Sequence, residues 1–91
     1  MVTTSTQAIK GNFIQSVPTP QGLTQFSFLR KATPYGEKYF ILAMDKNLRA
    51  YWFIMEQQGS QWRINEPERV PKWITAIETD LSNAIALKSM L

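Results

Sequence analysis

Tyr39-Phe40-Ile41-Leu42-Ala43-Met44 and, after a polar break, Ala50-Tyr51-Trp52-Phe53-Ile54-Met55 decide how this chain folds. Each is an apolar run of strand length bounded by turn residues. Side chains alternate across a strand, so each run has two faces, and here both are apolar. In the first run one parity holds Tyr39, Ile41 and Ala43, the other Phe40, Leu42 and Met44. In the second run the sets are Ala50, Trp52, Ile54 and Tyr51, Phe53, Met55. Asp45-Lys46-Asn47 is a short turn. It joins two strands, expected over Glu37 to Asp45 and Leu48 to Gln57, as an antiparallel pair.

The neighbours extend the same pattern. Leu23 to Lys31 alternates, with Phe26, Phe28 and Arg30 on one side and Gln25, Ser27 and Leu29 on the other. Thr33-Pro34-Tyr35-Gly36 places Pro and Gly where a turn favours them. Ala8 to Val17 reads as a strand with a bulge at Gly11, and Pro18-Thr19-Pro20-Gln21-Gly22 as a breaker. Residues 1–7 are small and polar and read as a frayed start. Downstream, Gln58-Gly59-Ser60 turns the chain. Gln61 to Asn65 is a short fifth strand, or the folded-back end of the fourth.

Glu66 to Val70 then leads to one helix, with Pro71 at its first position. Ile74, Ile77, Leu81, Ala84 and Ile85 are spaced by three and four and make one buried stripe. Trp62 and Trp73 are expected to pack together where helix meets sheet. The turns are too short for parallel crossovers. The expected fold is α+β: a four- or five-stranded antiparallel meander with one C-terminal helix on one face. It forms a single domain over residues 1–91, with the sheet in 8–65 and the helix in 71–90.

The 91 residues contain no Cys and no His. Thiolate nucleophiles, imidazole bases, disulfides and the common zinc sites are therefore excluded. Glu66 and Glu68 lie beside Arg69 in a connector and read as a solvated ion pair. Glu78 and Asp80 are two apart and do not share a helix face. Gly11, Gly22, Gly36 and Gly59 stand alone, so no phosphate-cradling loop is present. The expectation is a protein that is not an enzyme, with no cofactor and no metal. Met1 to Thr6 lacks a signal-peptide pattern, and the longest apolar run, Tyr51 to Met55, is far too short to cross a bilayer. A soluble cytoplasmic protein is expected, with no membrane partner.

The net charge is +3, unevenly spread. Met1 to Met55 carries six basic residues against two acids, and Glu56 to Leu91 carries four against five. A lone helix shields one face of the sheet, while the middle strands are apolar on both. A second copy of the chain, a curled sheet closing on itself, or an aromatic ligand could cover the other face. The expected assembly is a homodimer.

Lys10-Gly11-Asn12-Phe13, Gln25-Phe26-Ser27-Phe28-Leu29-Arg30-Lys31 and the closing helix Pro71 to Lys88 mark a strand meander followed by one helix. In topology this resembles the unit of the Whirly, Pur-alpha and positive-cofactor-four families. The resemblance implies a dimer that binds single-stranded nucleic acid along its sheet. The residue pattern names the contacts: Lys10, Arg30, Lys31, Lys38, Lys46 and Arg49 to phosphates, and Tyr35, Tyr39 and Tyr51 to bases. The alternative is a protein–protein interaction or assembly subunit that uses the apolar sheet face. A small-molecule binder in a curled sheet is a third reading.

Overall fold

The computed structural model describes residues 11–89. The expected frayed start, the part of the first strand before Gly11, the candidate contact Lys10 and the end of the expected helix lie outside them. Strands β1 (Phe13–Thr19), β2 (Gly22–Thr33), β3 (Gly36–Met44), β4 (Ala50–Gln58) and β5 (Gln61–Ile64) form one antiparallel sheet in chain order. A 3₁₀ turn (Pro67–Arg69) leads into helices α1 (Lys72–Thr75) and α2 (Glu78–Ser89). The architecture is the expected α+β meander, and the fifth strand is a strand in its own right.

Two turns of one sequence type set the register. Thr19-Pro20-Gln21-Gly22 and Thr33-Pro34-Tyr35-Gly36 each close a two-residue hairpin. In each, the Thr hydroxyl accepts the N–H two residues on, from Gln21 at 3.0 Å and from Tyr35 at 3.2 Å. The same hydroxyl donates to the Gly carbonyl, at 2.8 Å and 2.5 Å. Gly22 and Gly36 supply the positive φ, 99° and 118°, that other residues avoid. The tight turns place Phe28 opposite both Phe13 and Ile41, and the loop from Asp45 to Arg49 then sets Ile41 opposite Phe53.

That register answers which parity lies inside. Tyr39, Ile41 and Ala43 of β3 and Tyr51, Phe53 and Met55 of β4 face the helices, in line with Phe26 and Phe28. Ile74, Ile77, Leu81 and Ile85 close over them as the sequence stripe requires. Seven large side chains, Phe26, Phe28, Ile41, Met55, Ile74, Leu81 and Ile85, are fully buried. Each contributes about 1.5–3 kcal/mol of transfer free energy.

Several boundaries differ from expectation, each for a local reason. Among the described residues β1 begins at Phe13, and Gly11 lies in a turn rather than in the strand. It precedes the strand with φ +92°, beneath the Arg30 side chain. Pro18 does not end the strand, because β1 is an edge and its outward position needs no N–H. β4 begins at Ala50, because Leu48 takes φ +66° in a loop tied down by Asp45. The helix is in two pieces. Pro71 is extended and caps α1 from outside. After Thr75 the chain tightens, with Ile77 N–H donating to the Ile74 carbonyl at 3.1 Å, and α2 follows. Trp62 and Trp73 do not pair. Trp62 meets Tyr39 edge-on at 5.1 Å, and Trp73 meets Tyr51 at 5.9 Å, towards the other end of the same hairpin.

α2 also seals one edge of the sheet. Trp62 N–H donates to Ser82 Oγ at 2.9 Å, and Ile64 N–H to the Glu78 carboxylate at 2.8 Å. These are the β5 groups that point away from β4.

Candidate interaction surface

The face of the sheet turned away from the helices carries the other parity. Leu29, Phe40 and Ile54 form one row across β2, β3 and β4. Ile14, Leu42 and Trp52, with Ser27, form the next, and Met44 and Ala50 a third. Among the described residues no helix lies over them, and Leu29, Phe40, Leu42 and Ile54 are half-buried by their neighbours. Ile14 and Trp52 are each 60% exposed, and Met44 is exposed as well. Leu42 sits in the middle of the middle strand. Within the strands, the charges on this face fall in one row at one end, Lys31, Lys38, Glu56, Arg63. There Lys38 Nζ lies 2.9 Å from the Glu56 carboxylate.

Beside Trp52 the face deepens. β5 is too short to flank all of β4, and the connector takes its place. The result is a groove of about 520 Å³ with Phe40, Trp52 and Ile54 as its floor and Asn65, Glu66, Arg69 and Val70 as its wall. Glu66 holds a left-handed backbone, φ 55°, and pairs with Arg69 at 3.4 Å, which is the ion pair expected from the sequence.

The expected nucleic-acid contacts do not converge here. Tyr39 is 3% exposed under the helices, so no base can reach its ring. Burial also pushes its phenol pKa up, against the nearby Arg30 charge. Tyr51 is half-buried, and its hydroxyl is committed to Asp45 at 3.2 Å. Tyr39 is corrected from contact to core, and Tyr51 packs half-buried against that core, because the helices cover their parity. Arg30 lies across Gly11 and pairs with Glu37, whose hydrogen bond raises the guanidinium pKa further. Lys38 pairs with Glu56. Lys31 and Tyr35 are exposed at one end of the sheet, and Lys46 and Arg49 at the other. The length of β3 separates the two groups by roughly 25 Å.

Asp45 organises the end that holds Lys46 and Arg49. Its carboxylate accepts N–H bonds from Asn47 at 2.8 Å and Arg49 at 2.9 Å. These bonds, the Arg49 one first, hold its pKa below the ordinary carboxylate value. Among the described residues no three metal-ligating side chains gather, and no helix is long and apolar enough to cross a membrane.

Comparison with protein-family models, with curated proteins and with solved structures gives no match for this chain. Its surface is therefore the guide to function. Phe40, Leu42, Trp52 and Ile54 are apolar side chains of that surface, and none of them is among the nucleic-acid contacts expected from the sequence.

Proposed function

We propose that this protein is a non-enzymatic interaction module that pairs with a second copy through its open sheet face. The observation that carries the reading is the apolar centre around Leu42 with charge confined to the rim. That is the anatomy of a protein interface: charge is depleted in the middle and retained at the edge. The area supports it too. Five strands at about 4.8 Å spacing and a nine-residue β3 at about 3.3 Å per residue span on the order of 700 Å². A standard interface buries roughly 800 Å² per partner. Sheets also pack face to face without distortion, about 10 Å apart.

Sedimentation or light scattering at high micromolar concentration tests this. The expected mass is twice the 10.5 kDa of one chain. Leu42→Glu should reduce it to one chain with an unchanged far-ultraviolet spectrum. A monomeric wild-type protein at that concentration contradicts the proposal.

Single-stranded nucleic acid is a second reading, favoured by the exposed indole of Trp52, with the stacking moved to that residue and three of the expected phosphate contacts kept. Trp52 would be the stacking platform, and Lys31, Lys46 and Arg49 the phosphate contacts. None of these three cations has an ion-pair partner among the described residues. Salt-sensitive quenching of tryptophan emission by oligo-dT supports this reading, since phosphate contacts release counterions. Unchanged emission at low salt removes it.

A further inference from the structure

The two outer strands of the sheet end differently. On β5 the outward N–H groups of Trp62 and Ile64 find acceptors on α2. On β1 the direction of each backbone group follows from the hairpins. The closing pairs Thr19–Gly22 and Thr33–Gly36 fix the alternation through β1, β2 and β3. Arg30 N–H, reaching past the start of β1 to the Asn12 side chain at 2.9 Å, agrees with it. Phe13, Gln15, Val17 and Thr19 therefore bond to β2, and Ile14, Ser16 and Pro18 turn outward. Among the described residues the only partner on this edge is the Gln15 side-chain amide, which donates to the Ser16 carbonyl at 3.3 Å.

A groove of about 330 Å³ runs along the same edge, between β1 and α2. Residues 15–18 form one wall, and Asp80, Asn83, Ala84 and Leu87 the other. Leu87 is 62% exposed there. α2 runs antiparallel to β1, because Glu78 and Ser82 step backwards along β5 from Ile64 to Trp62. Asp80 thus lies at the Pro18 end of the groove. Lys88 lies at the Phe13 end, with its ammonium 5.7 Å from the Phe13 ring centroid. Neither charge has an ion-pair partner among the described residues.

We infer that this edge accepts an extended peptide of another protein as a sixth strand, antiparallel to β1. An open strand edge offers main-chain hydrogen bonds, and the adjacent groove takes alternate side chains. Peptide residues opposite Ser16 and Ile14 exchange N–H and C=O pairs with them, displacing the Gln15 amide. The residue between these two turns its side chain into the groove, against Ala84 and Leu87, and is apolar. The residue opposite Val17 stands at Asp80 and is basic. The residue opposite Phe13 stands at Lys88 and carries a carboxylate. A second copy of β1 fits less well, since it would bring Val17 and Phe13 to those two charges and answer neither. The site lies on the rim and helix side, so it stands or falls separately from the sheet-face dimer.

The test uses the isotope-labelled full chain and the blocked peptide lysine-threonine-leucine-threonine-glutamate. The amides of Ile14 and Ser16 are expected to shift and to exchange more slowly as the peptide is added, while those of Trp62 and Ile64 stay unchanged. Replacing the second threonine by proline removes the N–H that faces Ile14 and should weaken binding roughly 5- to 10-fold. Exchanging the lysine and the glutamate should weaken it as well. Three results overturn the inference. One is no protection of Ile14 and Ser16 at saturating peptide. Another is equal binding by the proline analogue. The third is protection that grows with protein concentration in the absence of peptide, which would show that a second copy occupies the edge.

Discussion

Glu78 on α2 accepts the backbone N–H of Ile64 on β5 at 2.8 Å, so a helix side chain stands where another strand would bond. Ser82 does the same for Trp62 one turn later. Both amides belong to buried residues, so removing either acceptor leaves an unsatisfied donor. Ser82→Ala and Glu78→Ala should each cost about 1–3 kcal/mol in urea unfolding. Glu78→Gln keeps a carbonyl acceptor and should cost less than Glu78→Ala. Equal losses for the two Glu78 variants would mean that the Arg63 ion pair, not the edge bond, is what the carboxylate contributes.

Gly11 and Gly36 share a positive φ but not a neighbourhood. A Cβ on Gly36 meets open space, whereas one on Gly11 collides with Arg30 Cδ. Gly36→Ala should therefore lose only the backbone term, roughly 1–2 kcal/mol for a left-handed non-glycine residue. Gly11→Ala should lose that and also displace Arg30 from Glu37. The excess should shrink when Gly11→Ala is made on a Glu37→Ala background, because Arg30 is then free to move. Denaturation midpoints of the four variants decide it.

Asp45 gives the protein an acid-sensitive loop. Its folded pKa lies below the unfolded value of about 3.9. The unfolded state therefore binds the proton first. The stabilisation is complete above the unfolded value and is lost as pH falls through the folded one. Asp45→Asn should flatten the acid limb of a stability–pH curve and loosen the amides of Asn47 and Arg49. An acid limb with the wild-type slope would assign it to other carboxylates.

Tyr39 governs the opposite limb. Burial raises its pKa, so the neutral phenol is favoured in the fold. Stability is intact below the unfolded value of about 10 and declines as pH rises from there through the folded value. Tyr39→Phe should remove that alkaline decline while keeping the edge-on contact with Trp62. Absorbance of the ionised phenol, followed alongside unfolding, shows whether Tyr39 titrates late.

Much of this was legible in the chain. The meander, the turns and the helical stripe follow from alternation and from Gly and Pro placement. The inner parity was legible too. Gln25 and Ser27 mark the outer side of β2, and a two-residue turn at Pro34-Tyr35 then puts Phe28 opposite Ile41. That turn length sends Tyr39 inside and leaves Phe40 and Leu42 outside, while the parity of Tyr51 and Trp52 depends as well on the loop from Asp45 to Arg49. The break between α1 and α2 was not legible, because the apolar spacing of Ile74, Ile77 and Leu81 suits one continuous helix. Nor were the Gly11–Arg30 contact and the Glu78–Ile64 bond, which join residues distant in sequence and depend on how the helix crosses the sheet.

Trp52 offers an optical reading of the open face. It is 60% exposed, whereas Trp62 is buried and Trp73 is half-buried against Phe26 and Tyr51. Acrylamide quenching therefore reports chiefly on Trp52. Pairing through the sheet face would enclose its indole beside Phe40 and Ile54. Quenching should fall and emission should shift to the blue over the same concentration range in which the mass doubles. In Leu42→Glu both signals should stay at their dilute values, because the charge sits at the centre of the contact and Trp52 remains in water. If the mass doubles while Trp52 stays equally quenchable, the copies meet elsewhere and the sheet face is not the interface.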